Sequence, residues 1–255
     1  MKRVALLFLL LSSATATESG QENRLNISKD VTFKKISVGA VHYPPYYDFS
    51  GGDQRPTGFL ANHIHKSLSR AGYSINWQRI PLARGDKALN KNIIQVYGSY
   101  APVPGDKAKV EYSQTPLIKM QPIICGLKNS LGDPKRVTEK DVYNKETLYP
   151  QGAYIHPKME ELKLKVERLD YSGDYIARAI KMIEKSRSKF FILPESFRVR
   201  PYLKNNKNLR CSNFIDIIAM HLSFSPGSPW KKRIAPLIKE YPTKISIEDY
   251  KDYRL

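Results

Sequence analysis

Val38-Gly39-Ala40-Val41-His42-Tyr43-Pro44-Pro45-Tyr46-Tyr47-Asp48 decides how this chain of 255 residues is read. Its first half is apolar and β-prone; its second half is a stiff aromatic turn. Pro44 and Pro45 each fix a φ angle and restrict the residue before them. In open α/β sheets, ligands bind beyond the carboxyl ends of the strands. The stretch therefore predicts a loop forming one wall of a small-molecule cleft. Tyr43, Tyr46 and Tyr47 would offer ring faces and polar tips to the ligand. The alternative is that one or two of these rings pack into the core.

Outward from this stretch, helical and strand patterns alternate. Residues 33–41 form the first strand. Leu60, Ile64, Leu68 and Ala71 recur at helical spacing, and Gly72 is placed to end that helix. Residues 74–80 read as a second strand, followed by Pro81-Leu82-Ala83-Arg84-Gly85 and a short helix through Leu89. A third strand, 93–98, leads into Ser99 and Tyr100. This β-α-β-α-β order predicts a parallel sheet with crossover helices.

After Gly132 the alternation restarts. Strands are expected at 146–149, 165–171 and 190–193, and helices after Pro157 and over 174–186. Ile176, Ala179, Ile180 and Ile183 line one face of the latter. Two extended segments, 116–127 and 213–224, sit at the seams of the two blocks. Ser228-Pro229 opens a last helix, which Pro236 kinks or shortens. The fold class is α/β, in two blocks, with the chain crossing from the first to the second and returning.

Composition is that of a soluble globular chain, but the formal charge is +18. A nucleic acid, an anionic membrane or polymer, and a lysine-rich solvated surface compete to explain it. The cations are scattered along the chain, which favours the solvated surface. Met1 to Ala16 has the form of a secretory signal peptide. Lys2 and Arg3 precede the apolar run Val4 to Leu11, and Ala14-Thr15-Ala16 fits a cleavage site. Its removal leaves a formal charge of +16, since Lys2 and Arg3 are the only charges lost from +18. Residues 17–32 read as a flexible N-terminus, and the expected location is periplasmic or secreted. Cys125 and Cys211 are the only cysteines. In an oxidising compartment they suggest one disulfide; two buried thiols are the alternative.

Arg84, at a loop-to-helix junction, is a candidate partner for an anionic group, with a surface ion pair as the plain alternative. Ser99 and Tyr100 follow a strand, where hydroxyl and backbone groups meet ligand. In Gln151-Gly152-Ala153-Tyr154, a candidate binding loop through Gly152 and Ala153, glycine permits close approach to the backbone. Glu195 follows a buried strand and is a candidate ligand group. The five histidines form no metal pattern. No nucleophile elbow, phosphate loop or zinc-protease motif is present, so the chain reads as a non-enzyme with no cofactor.

Four elements together resemble the bacterial extracellular solute-binding proteins of family 3, the type that binds polar amino acids. They are Tyr43-Pro44-Pro45-Tyr46, Gly58-Phe59, Pro81-x-x-Arg84 and Ala108-Lys109-Val110-Glu111-Tyr112-Ser113-Gln114-Thr115-Pro116. The likeness spans about residues 35–250. It implies two α/β lobes of the type II periplasmic-binding-protein kind, joined by two hinge strands and closing on a ligand. Lobe 1 would be 33–116 plus 220–255, and lobe 2 would be 121–214. Both cysteines would then lie in lobe 2, just beyond the two crossings, which supports the disulfide.

The family's carboxylate-gripping Arg has no counterpart in Pro104-Gly105-Asp106-Lys107, where Lys107 offers only a point charge. Glu195 stands where the family uses an Asp for the ligand's ammonium group. The resemblance thus implies a small polar ligand, with a ring or a negative group, rather than a standard amino acid. It implies a membrane permease or a receptor as partner, no nucleic acid, and a monomer. The rival readings are a dehydratase-like enzyme using Glu195 with Lys107 or Arg84, and a binder of an anionic polymer.

Overall fold

The computed structural model describes residues 34–52, 55–101, 109–170, 174–193, 199–213 and 215–242. The signal-peptide segment, the N-terminal stretch 17–32, Lys107, Glu195 and the tail beyond 242 lie outside the described residues.

The first sheet begins with β1 (Lys34–Ala40), helix α1 (Phe59–Arg70) and β2 (Tyr73–Arg79). A 3₁₀ turn, Leu82–Arg84, leads into α2 (Gly85–Asn90) and β3 (Val96–Tyr100). β1 pairs in parallel with both β2 and β3. Ile36, Val38 and Ala40 of β1 face Leu60, Ile64 and Leu68 of α1, all at most 1% exposed. Ala88, Leu89, Ile94 and Tyr97 form a separate cluster.

The chain continues through β4 (Glu111–Tyr112) and β5 (Ile118–Met120) into the second sheet. That sheet contains β6 (Ile123–Leu127), β7 (Glu146–Pro150), β8 (Lys165–Leu169), β9 (Phe190–Leu193) and β10 (Leu209–Ser212). Helices α3 (Glu139–Val142), α4 (Pro157–Glu161), α5 (Tyr175–Glu184) and α6 (Arg200–Asn205) connect its strands. β11 (Ile218–Phe224) then returns to the first sheet, and α7 (Pro229–Ile234) packs on it. A 3₁₀ turn containing Pro236 follows α7, so the proline shortens the helix.

Strand order is β2-β1-β3-β11-β4 in the first sheet and β10-β6-β9-β7-β8 in the second. β6 and β9 are apolar without alternation because both faces of their sheet are covered. Cys125, Leu148, Phe191 and Leu193 pack under α5, while Ile124, Tyr149, Phe190 and Ile192 pack against Val142, Met159 and Leu162. Asp174 caps α5, accepting the Ala177 N–H at 3.0 Å.

The two passages between sheets lie side by side. Met120 pairs with Ile218, and Gln121 Nε2 donates to the Ile215 carbonyl at 2.7 Å. Cys125 and Cys211 are directly opposed in the β6–β10 ladder and form a disulfide, with Cα atoms 4.1 Å apart.

The aromatic turn departs from the expected cleft wall. It folds on itself: the Tyr43 N–H donates to the Tyr47 carbonyl at 2.7 Å, and the Tyr47 N–H to the Tyr43 carbonyl at 3.0 Å. Its carbonyls then cap α1, Pro45 O accepting from Phe59 N–H and Tyr46 O from Ala61 N–H. Gly58 makes this possible. Its φ is +112°, and a Cβ there would sit 2.5 Å from both carbonyl oxygens. This clasp draws the rings inward, leaving Tyr43, Tyr46 and Tyr47 at 6%, 2% and 0% exposure in the first core. The Tyr47 ring lies over Gly98 and 6.3 Å from the Trp77 ring. The expected tyrosine wall is thus corrected to a helix cap with its rings in the core.

Candidate functional site

Between the two sheets lies a cavity of ≈110 Å³ whose walls come from strand ends of both. From the first sheet, Val41 and His42 follow β1, Arg79 ends β2, and Pro81, Leu82 and Ala83 follow it. From the second, Gln151 follows β7 and Asp170 follows β8. Each of these strands is parallel to its neighbour, so its carboxyl end faces the cavity, as the general rule for such sheets requires.

The His42 ring is oriented by the turn it precedes. Its Nδ1 accepts the Phe49 N–H at 3.1 Å, so the neutral ring carries its proton on Nε2. Asp48 Oδ1 lies 3.9 Å from Nδ1. Burial acts to raise the Asp48 carboxyl, but the hydrogen bonds from Ser50 and the nearby His42 ring hold it below its usual value. Arg79 and Arg84 are both exposed, and neither side chain has a hydrogen-bond or ion-pair partner among the described residues. Arg79 lines the cavity; Arg84 does not.

The second-sheet wall is held by Arg168. Its Nη1 donates to the carbonyls of Pro150 and Ala153, both at 2.9 Å, closing the loop 150–153 from beneath. The guanidinium lies 5.3 Å from the centre of the Tyr149 ring, and the Tyr149 hydroxyl donates to Tyr154 O at 2.8 Å. Burial lowers the Arg168 pKa, but a guanidinium stays charged in proteins. So secured, the loop carries Gly152 at φ +81° against the first-sheet wall. A Cβ on Gly152 would lie 2.5 Å from the Ala83 nitrogen and 2.7 Å from its Cα. The two walls meet here backbone to backbone, and Gly is what lets them.

Of the expected site residues, Gly152 and Ala153 lie on the loop that forms the second wall. Ser99 and Tyr100 end β3, where Tyr100 pairs with His221 of β11. Arg84 is exposed beside the cavity's first wall. Sequence reasoning missed His42, Arg79, Gln151 and Asp170 as a set. The position rule would have found them, since each stands at or just beyond the end of a predicted parallel strand.

No family model matches this sequence, and no curated protein is detectably similar to it. Solved structures are similar in fold. One is an ABC uptake transporter substrate-binding protein from Streptococcus pneumoniae with bound histidine, at 19% identity, covering 80% of this chain and 85% of that one, with a TM-score of 0.61. Another is the GluR0 ligand-binding core complexed with L-glutamate, at 16% identity, 81% and 91% coverage, and a TM-score of 0.63. A third is a histidine kinase sensor domain with similarity to periplasmic binding proteins, at 13% identity, 81% and 89% coverage, and a TM-score of 0.64. Identities this low speak for architecture alone: the chain has the two-lobed α/β fold of periplasmic binding proteins.

Proposed function

We propose that the chain is an exported solute-binding protein that captures a small polar ligand between its lobes by hinge closure, for transport or sensing. The observation that carries this reading is the cavity faced by four strand ends, two from each sheet, with Gly152 seated against Ala83 across it. A ligand held there touches both lobes only when they are closed, so binding favours the closed form. The paired passages at Met120–Ile218 and Gln121–Ile215 are the proposed hinge. Lobe 1 is assigned to 33–116 plus 220–255 and lobe 2 to 121–214, with residues 1–16 as an export signal.

Arg79 presents a guanidinium suited to a carboxylate or phosphate, and Asp170 stands in the opposite wall. The guanidinium favours a ligand with a negative group. Lys107 and Glu195 stay in the proposed ligand set on the resemblance alone. A permease or a receptor is the proposed partner.

The test is a thermal-shift screen over amino acids, dicarboxylates, polyamines and aromatic carboxylates, followed by calorimetry on any hit. Replacing Arg79 by Met is expected to weaken a carboxylated hit at least about tenfold, the low end for a charged hydrogen bond, without changing the melting temperature of the free protein. A hit that binds equally well to the Arg79→Met and Asp170→Asn variants would overturn the reading.

A further inference from the structure

The second sheet has a second edge, opposite the cleft, and its chemistry differs sharply. At the cleft edge the five strands end in Ser212, Ile123, Leu193, Pro150 and Leu169, and the described residues within two positions beyond them include Asp170 but no lysine. At the far edge each strand begins with a lysine or has one within two residues beyond its end. In sheet order these are Lys207, Lys128, Lys189, Lys145 and Lys165, each exposed.

The backbone ladder makes this a continuous row. Lys128 N–H donates to Asn208 O at 2.7 Å, Lys189 N–H to Glu146 O at 3.1 Å, and Lys165 N–H to Lys145 O at 2.9 Å. With strands about 4.8 Å apart, four gaps give a cationic line roughly 19 Å long. Glu146 is the one carboxylate among these described strand ends, and it lies 3.9 Å from Lys165 Nζ. Arg187, just before Lys189, adds another exposed cation. Beside the row, Tyr143 leaves 47% of its surface in solvent, with Lys163 Nζ 5.6 Å from its ring centre.

A scattered set of lysines is ordinarily a solvated face. A lysine at the end of every strand along one edge, and none at the other among the described residues, is an ordered surface. We infer that this edge docks the second lobe on an anionic membrane surface, leaving the cleft edge turned away from the bilayer. Lysines are strongly hydrated point charges that suit diffuse headgroup charge rather than bidentate recognition. An exposed tyrosine beside them is the amphipathic ring that favours the membrane–water interface. No aromatic alternates with the five lysines, so the row lacks the stacking platform that a single-stranded nucleic acid uses.

The experiment is co-sedimentation of the purified chain with vesicles of mixed phosphatidylglycerol and phosphatidylcholine, against phosphatidylcholine alone. Binding is expected only to the anionic vesicles, and it is expected to fall steeply with salt. Replacing Lys128, Lys165, Lys189 and Lys207 together by Gln should lower the partition coefficient at least about 100-fold, since each basic residue near such a surface contributes substantially. A control replaces the exposed Lys34, Lys66, Lys87 and Lys91 of the first lobe by Gln, with the same change in net charge. It should lose no more than a few-fold. The four-Lys→Arg version of the edge should retain binding, which separates charge from folding defects. Equal losses in the edge and control variants would overturn the inference. So would binding to heparin or DNA without binding to anionic vesicles.

Discussion

Tyr47 separates a core role for the aromatic turn from a cleft role. Its ring is fully buried, and its hydroxyl has no hydrogen-bond partner among the described residues. Burial alone pushes its ionisation far above the usual phenol range. A buried hydroxyl without a partner costs about 1–3 kcal/mol, so Tyr47→Phe should stabilise the first lobe, by about 1 kcal/mol at the low end. Tyr47→Ala removes the ring and leaves a cavity, at a cost of about 3–5 kcal/mol. Urea unfolding read by tryptophan fluorescence reports this lobe specifically. The only two tryptophans, Trp77 and Trp230, both pack in or against its core. At a slope of roughly 2 kcal/mol per molar urea, the midpoint should rise about 0.5 M for Phe and fall about 2 M for Ala. If Tyr47→Ala keeps the wild-type midpoint and instead weakens ligand binding, the ring belongs to the cleft and the core assignment is wrong. A Phe variant destabilised by more than about 1 kcal/mol would mean that the hydroxyl has a partner the geometry does not reveal.

Gly58→Ala should destabilise the first lobe by at least about 3 kcal/mol, because the residue sits in a region of backbone space open essentially to Gly alone and its Cβ would strike two carbonyl oxygens. The same urea titration checks this, and a loss under 1 kcal/mol would contradict it. Opening the Cys125–Cys211 disulfide, which spans 86 residues of sequence, should cost the second lobe about 4–5 kcal/mol on the chain-entropy account. The readout is far-UV circular dichroism with and without reductant, since the tryptophans do not report that lobe. Asp141 accepts hydrogen bonds from the Thr138 N–H and hydroxyl and from the Gly132 N–H; these outweigh the opposing effect of burial and lower its pKa. Its contribution is therefore present above the unfolded carboxyl value of about 4 and is lost as pH falls below it. An Asp141→Asn variant should be less stable by about 1 kcal/mol at neutral pH and should match the wild type at acid pH.

How far the fold could be read ahead depended on how much each element buries. The α5 helix was legible because Ile176, Ala179, Ile180 and Ile183 all go into one core, and β9 because four consecutive apolar residues are buried on both faces. β10 and α6 were not. β10 buries only Leu209 and exists because it pairs with β6 and is bonded to it through Cys211. α6 is six residues long and buries none of them fully, so it leaves no periodicity to detect. In the site, position was legible and orientation was not. The sequence placed the aromatic turn correctly after β1, but nothing local says that Gly58 lets its carbonyls cap α1 and turn its rings inward. The cavity residues failed in the opposite sense. His42, Arg79, Gln151 and Asp170 carry no motif among them, and only the order of strands in two sheets brings them together.

The size of that cavity constrains what the walls can recognise. At ≈110 Å³ it falls below the roughly 300–1,000 Å³ of a typical ligand pocket. It therefore suits one end of a ligand, on the scale of a carboxylate or a small polar head group. The contact between Gly152 and Ala83 sets this limit, because the walls already touch there through backbone atoms and cannot approach further. Any side chain at position 152 would hold them apart, enlarging the cavity and separating Arg79 from the Asp170 side. On the proposed function, specificity and closure then rest on the same residue. A Gly152→Ala variant should bind the ligand more weakly while leaving the unliganded lobes as stable as before, apart from the strain of a non-glycine residue at φ +81°. Replacing Ala83 by Leu, where the backbone is unstrained, should reproduce the loss of affinity. Small-angle scattering of the liganded protein should then show both variants more open than the wild type. If Ala83→Leu binds and closes like the wild type, the contact is incidental and closure is limited elsewhere.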